Sequence, residues 1–249
     1  MVSQLPQPQP QLNPPLGQAQ SARGQAAPRL EAPKTTIEYP ESDGKPIADN
    51  TQQFRWIVVI KENIEAIYAE DPAVFVAGDL LWYPVEGRND ICTAPDTLVV
   101  FGRPKGDRGS YQQWKENNIV PQVAFEILSP SNSRIEMGRK LLFYNRYGIE
   151  EYYVYDPARY AFEAWHRGET GLEPQDAEPL ISPRLGIRFD RSPTGELEIF
   201  RPDGSPFESF QQLQARANQA EAKAATAEAR AAALAEKLRE LGFDPEQLS

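Results

Sequence analysis

The chain has 249 residues, 40% of them hydrophobic, and a formal net charge of −10. That is enough to bury one sizeable domain core with appendages, and it provides no overall basic surface for indiscriminate nucleic-acid binding, although a local basic groove remains compatible with it. A single cysteine, Cys92, and a single histidine, His166, exclude a disulfide framework within this chain, nearly exclude zinc fingers built from it alone, and leave one residue each on which a Cys–His pair or a Ser-His-Asp triad would have to rest.

Hydrolytic chemistry would therefore rest on carboxylates and lysine. No apolar run approaches the roughly twenty residues of a membrane span, and the N-terminus lacks the apolar stretch of a signal peptide. The expectation is a cytoplasmic protein with no membrane partner.

Residues 1–34 are rich in Pro, Gln and Ala and almost without large apolar side chains. They bury too little surface to offset ordering entropy, so a disordered tail is expected. A folded domain over 35–205 and a C-terminal coiled-coil helix over 206–242 complete the expected organisation. Thr51 is placed as the cap of a first helix running to about Ala69, with Phe54, Ile57, Val58, Ile64 and Ile67 on its apolar side. Val74–Ala77 and Leu80–Tyr83 read as strands, or one bent strand, around Gly78-Asp79. Pro95-Asp96 opens a β-run, Thr97–Phe101.

The loop Gly102–Tyr111 with Trp114 and Lys115 allows two readings. Its cations and rings suit a nucleic-acid strand, or it is a solvated loop anchored by two aromatics; its glycines do not form a phosphate-binding loop leading into a helix. Val123–Leu128 reads as a central strand, followed by a Ser129-Pro130-Ser131-Asn132 turn. The next helix is marked by Ile135, Leu141, Leu142 and Tyr144, with Gly148 as its C-cap. Glu151–Asp156 and Tyr160–His166 form a hairpin that leaves His166 at the surface, and Leu185–Phe189 and Leu197–Phe200 are expected as edge strands. From Phe210 to Leu241 apolar residues recur three and four apart, a heptad seam, alanine-filled in the middle and ended by Gly242, that favours pairing of two chains over a solvated single helix.

Glu126 interrupts an otherwise apolar strand, and a carboxylate there is costly unless it is paired or holds a metal. Asp96 starts a strand that could lie beside it. Two readings stand: a magnesium site for phosphodiester hydrolysis, or a turn aspartate and a buried ion pair of Glu126 with Arg139 or Lys140 that sets register.

Pro95-Asp96, Phe125-Glu126-Ile127-Leu128-Ser129-Pro130-Ser131, Lys140, Tyr144 and Tyr147–Tyr152 together resemble the Uma2 family (also DUF820), within the PD-(D/E)xK nuclease superfamily. The resemblance spans about Tyr39 to Arg201. It implies a restriction endonuclease-like α/β fold, a mixed sheet flanked by helices. It implies a magnesium-dependent endonuclease acting on DNA, with manganese as a possible substitute. Asp96 and Glu126 would be the metal ligands, and Asp96, Glu126 and Lys140 the catalytic set. The superfamily's lysine usually lies two residues after the glutamate, where this chain has Leu128, so Lys140 on the next helix is expected to replace it. Asp79 or Asp90 is a candidate further ligand. The alternative is a catalytically inactive nuclease-fold protein that binds a partner or nucleic acid and dimerises through its C-terminal helix.

Overall fold

The computed structural model describes residues 37–241; the expected tail over 1–34 and the stop at Gly242 lie outside the described residues. Helix α1 (Thr51–Ile67) is capped by Asn50, whose side chain accepts the Gln53 N–H. The cap is thus one residue earlier than the sequence suggests, since an asparagine side chain caps as well as a threonine. Strand β1 (Val74–Ala77) and the two-residue β2 (Trp82–Tyr83) follow, then β3 (Thr97–Phe101), β4 (Tyr111–Gln112) and β5 (Val123–Ile127). Helix α2 (Arg134–Tyr147) leads to β6 (Glu151–Asp156), β7 (Ala161–Arg167) and β8 (Leu172–Pro174). Short strands β9 (Leu180–Ile181), β10 (Arg188–Arg191) and β11 (Leu197–Phe200) precede the 31-residue α3 (Phe210–Glu240).

Six strands form the main sheet in the order β1-β3-β5-β6-β7-β8. Only β5 and β6 run parallel. A parallel pair needs a crossover, and α2 supplies it, so that helix lies over the centre of the sheet. Gly148 ends α2 in the left-handed region (φ 94°), a conformation glycine adopts without Cβ strain.

Alternation along the central strands divides two cores. On one face Val99, Phe125, Ile127, Tyr153 and Tyr155 pack against Ile57, Ile60 and Ile64 of α1 and against the β9–β11 sheet. On the other, Leu98, Val100, Ala124, Tyr152 and Val154 meet Tyr144 of α2 with Trp82 and Tyr111. The mixed α/β architecture matches the expectation, with local corrections in the buried face of α1 and in the C-terminal strands.

Phe54 and Val58 are exposed, and the buried residues of α1 are Gln53, Ile57, Ile60, Asn63 and Ile64. Ile135 and Leu142 of α2 are exposed as well. The two C-terminal strands are not edges of the main sheet but form a separate three-stranded sheet with β9, because Leu185, Ile187, Phe189, Leu197 and Ile199 supply an apolar face that is buried only by packing across the main one.

The Gly102–Lys115 segment is anchored to the body by its two aromatics, but it ends in β4 and a helical turn over Gln113–Lys115, and its two arginines are largely buried. Arg103 and Arg108 both bind Glu116, at 2.7 and 2.8 Å, and Lys105 donates to the carbonyls of Tyr68 and Ala69. Tyr111 is fully buried and Trp114 packs on Tyr39. His166 is half-buried, its Nε2 3.1 Å from the Tyr153 hydroxyl.

Candidate active site

Proline has no N–H to give a ladder and suits a strand entrance; Pro95 leads Asp96 into β3. The antiparallel register pairs Thr97 with Phe125 and Leu98 with Ala124, so one step further Asp96 lies opposite Glu126. Residues two apart share a strand face, which puts Asp96 with Leu98, Glu126 with Ala124, and both acids under α2. Directly opposed side chains are near neighbours, and two like charges there repel. Both are buried, at 9% and 3% exposure.

Local hydrogen bonds fix this geometry. Asp96 Oδ2 accepts the Ile127 N–H at 2.6 Å, tying the start of β3 to the end of β5. Beyond Glu126 the strand end is braced by α1 and the residue before its cap: Gln53 Nε2 donates to the Ile127 carbonyl at 2.8 Å, and the Ser129 hydroxyl donates to Asp49. The Ser129 N–H is held by Asn132 Oδ1 at 2.8 Å.

From α2, Lys140 Nζ reaches Glu126 Oε2 at 2.6 Å and also contacts the Ala94 carbonyl at 3.4 Å. One turn on, the Tyr144 hydroxyl donates to Glu126 Oε1 at 2.6 Å. Positions four apart lie on one helix face, so a single face of α2 binds both oxygens of the carboxylate. Arg139 is exposed, and the ion pair of Glu126 is with Lys140.

Burial, reinforced by the charge of Glu126, pushes the Asp96 carboxyl well above the usual carboxylate range. Burial raises Glu126 too, against the opposing pull of Lys140 and of the Tyr144 hydrogen bond. For Lys140 burial favours the neutral amine, but Glu126 and Asp96 outweigh it and hold the ammonium above its ordinary value. The Tyr152 hydroxyl is buried without a hydrogen-bond partner. Its ring lies 4.8 Å from that of Tyr144, and burial, then Glu126 and Asp96, drive its pKa well up.

The structure thus brings Asp96, Glu126 and Lys140 together. Asp79 is half-buried at φ 48°, and its carboxyl is raised by burial and lowered by the charge of Lys140. Asp90 is exposed and paired with Arg88 through two bonds of 2.7 Å. Among the described residues no three His, Cys, Asp or Glu side chains gather as a metal-holding group; the charge of Asp79 nonetheless reaches Asp96 and helps raise its carboxyl, whereas Asp90 has no such link to the pair. Were both carboxylates ionised, one ammonium would leave a negative charge uncompensated in a desolvated site, which is why Asp96 favours its protonated form without a further cation. Magnesium suits such a site, since it binds through one or two carboxylates and keeps its remaining positions for water and phosphate oxygens. Tyr144 and Tyr152 were not among the expected site residues. The spacing from Lys140 to Tyr144 was the available signal for the first, and nothing in the sequence marks the hydroxyl of the second as unpartnered.

A family model, Uma2, described as “Putative restriction endonuclease”, matches residues 25–194. No curated protein matches the chain. Among solved structures, one described as “a putative nuclease belonging to DUF820 from Anabaena variabilis” is similar at 18% identity. The match covers 56% of this chain and 74% of that one, with a TM-score of 0.42.

Proposed function

The chain belongs to the Uma2 family, and from that premise we propose that it is a magnesium-dependent endonuclease hydrolysing DNA phosphodiester bonds, with manganese able to replace magnesium. The observation that carries the proposal is the buried pair Asp96 and Glu126, opposed across β3 and β5 with Lys140 bonded to one of them. In this reading both carboxylates hold the metal. When bound, the metal supplies charge neutralisation at phosphorus and a water of lowered pKa.

The protein groups have separable tasks. Lys140 stays protonated because its acid neighbours favour the charged form, so it serves as a fixed positive charge for the developing phosphorane or the attacking water and not as a base. Tyr144 holds Glu126 Oε1 and orients that ligand from behind. Asp96 is oriented by the Ile127 N–H.

The test is cleavage of plasmid and single-stranded DNA with magnesium or manganese, against EDTA. Cutting should require metal, and Glu126→Ala and Lys140→Ala should each lower it by about a hundredfold or more. Metal-independent cutting, or cutting unaffected by Glu126→Ala, overturns the proposal. Loss with Glu126→Ala alone keeps the metal site and removes Lys140 from the chemistry.

A second reading is a nuclease fold kept as a binding module. Lys140 and Tyr144 already occupy both oxygens of Glu126, and the loop arginines are committed to Glu116. Absence of cutting, together with no effect of magnesium on thermal stability, selects that reading.

A further inference from the structure

Helix α3 has no buried residue along its 31 positions. Written as heptads with Phe210 at a and Leu213 at d, the a positions are Phe210, Ala217, Ala224, Ala231 and Leu238. The d positions are Leu213, Ala220, Ala227, Leu234 and Leu241. The groove where the helix leaves the domain is lined on the helix side by Gln211, Gln212 and Ala215, opposite Arg55, Trp56 and Val59. Those helix residues are b, c and f, so the domain lies towards the back of the first turns of the helix, where Leu213 at d is half-buried, and the seam beyond Leu213 continues past the groove. Phe210, Leu234 and Leu241 are 77%, 60% and 73% exposed.

The flanks select the occupant. Every g position along the seam is basic: Arg216, Lys223, Arg230 and Lys237. The e positions are Gln214, Glu221, Glu228 and Ala235. In a parallel coil each g residue faces the e residue five positions on in the other helix, whereas in an antiparallel coil g faces g and e faces e. Parallel pairing sets Arg216 against Glu221 and Lys223 against Glu228, twice over by symmetry. Antiparallel pairing sets cation against cation along one flank and acid against acid along the other. Arg216 also binds Glu208 within the chain at 2.8 Å while 61% exposed, so it stands at the seam's edge with its charge near solvent.

We infer that α3 binds the α3 of a second copy of this chain as a parallel, in-register two-stranded coiled coil. Because the domain precedes the helix, parallel pairing holds both domains at the same end of the coil. An antiparallel pair would separate them by about the 46 Å length of a 31-residue helix. The pairing is independent of the nuclease reading. Its consequence, two candidate active sites held together, rests on that reading.

Sedimentation velocity on the full chain should give a dimer. With Phe and Leu only at the ends of the seam, its dissociation constant should rise about tenfold or more in Glu221→Lys/Glu228→Lys, and mixing that variant with Arg216→Glu/Lys223→Glu should restore pairing. Orientation is read by cross-linking. Ala220→Cys should give a disulfide-linked dimer under mild oxidation where the parent chain, carrying only Cys92, does not. In an antiparallel pair centred on the seam Ala220 faces Ala231, so linkage only in a mixture of Ala220→Cys with Ala231→Cys overturns the assignment. A monomer or trimer at all concentrations overturns it too, as does a dimer indifferent to the charge changes.

Discussion

Lys140 balances a buried charge at the site, and the proposed nuclease adds a second function, stabilising a reacting one; substitution distinguishes them. Removing one partner of a buried pair leaves the other charge uncompensated, at a cost of about 3 kcal/mol or more. Lys140→Met should therefore destabilise the metal-free protein in urea melts by that order, and magnesium should recover part of the loss by taking over the neutralisation of Glu126. A lysine that served catalysis alone would leave metal-free stability unchanged. Tyr144→Phe removes one hydrogen bond to the same carboxylate. It should weaken magnesium binding, read as the metal concentration for half-maximal thermal stabilisation, by about tenfold. Asp96 gives a pH signature of definite sign. Its carboxyl is raised in the folded chain, by burial and then by Glu126, so the folded state holds the proton where the unfolded chain has lost it. The stability this contributes is complete below the unfolded pKa and disappears as pH rises through the folded one. In EDTA, melts should show stability falling with pH over that window, and Asp96→Asn should flatten the fall. The asparagine oxygen can still accept the Ile127 N–H, so at neutral pH the variant should be neutral or more stable by up to about 2 kcal/mol, while losing its response to magnesium.

At the scale of elements, Ile60 and Phe54 show why helix faces are harder to read than strands. Both are apolar and both lie on α1, yet Ile60 is 1% exposed and Phe54 50%. Ile60→Ala should cost about 3–4 kcal/mol through the cavity it leaves, and Phe54→Ala less than about 0.5 kcal/mol, both measurable by chemical denaturation. Apolar residues all round the helix blur a 3.6-residue stripe, so sequence alone grouped Phe54 and Val58 with the core. The central strands suffered no such ambiguity: Thr97–Phe101, Val123–Ile127 and Glu151–Asp156 are short and bounded by prolines, glycines or polar turns. Their faces follow from alternation, and that alternation made the acid pair legible before any coordinates. Strands β8 and β9 left no comparable mark, because three residues and two residues give no period to detect. The destination of β10 and β11 was equally hidden, since packing across the main sheet is a long-range choice that no local window encodes. Tyr144 sits between these cases. Its helical spacing from Lys140 was visible, but only a helix docked over β5 turns that spacing into a shared grip on Glu126.

For the whole molecule, the distribution of charge matters more than its sum. In the Gly102–Lys115 segment Arg103 and Arg108 share Glu116 and Lys105 is held by backbone carbonyls, so few of its cations are free to supply the electrostatic attraction that usually drives nucleic-acid binding. If two sites are to act on one duplex, the connection between chains must do more of the work, and α3 is the element with surface to give. None of its residues is fully buried, and the segment before it is secured separately: Asn63 donates to the Glu208 carbonyl at 2.9 Å and accepts from Arg201 at 2.8 Å. A chain ending at Ser209 should therefore keep the domain's melting temperature within about 2 °C when both forms are compared at dilutions where the full chain is dissociated. At working concentrations the two should part in a specific way. With two sites held at one end of a parallel coil, the second strand of a duplex is presented at high effective concentration once the first is engaged. The full chain should then convert supercoiled plasmid to the linear form with little open-circle intermediate, and the shortened chain should accumulate open circles while cutting single-stranded DNA at the same rate. Equal open-circle accumulation by both would mean that the coil joins the domains without coordinating their sites, and a loss of single-strand cutting on shortening would place part of the active site's support in α3 itself.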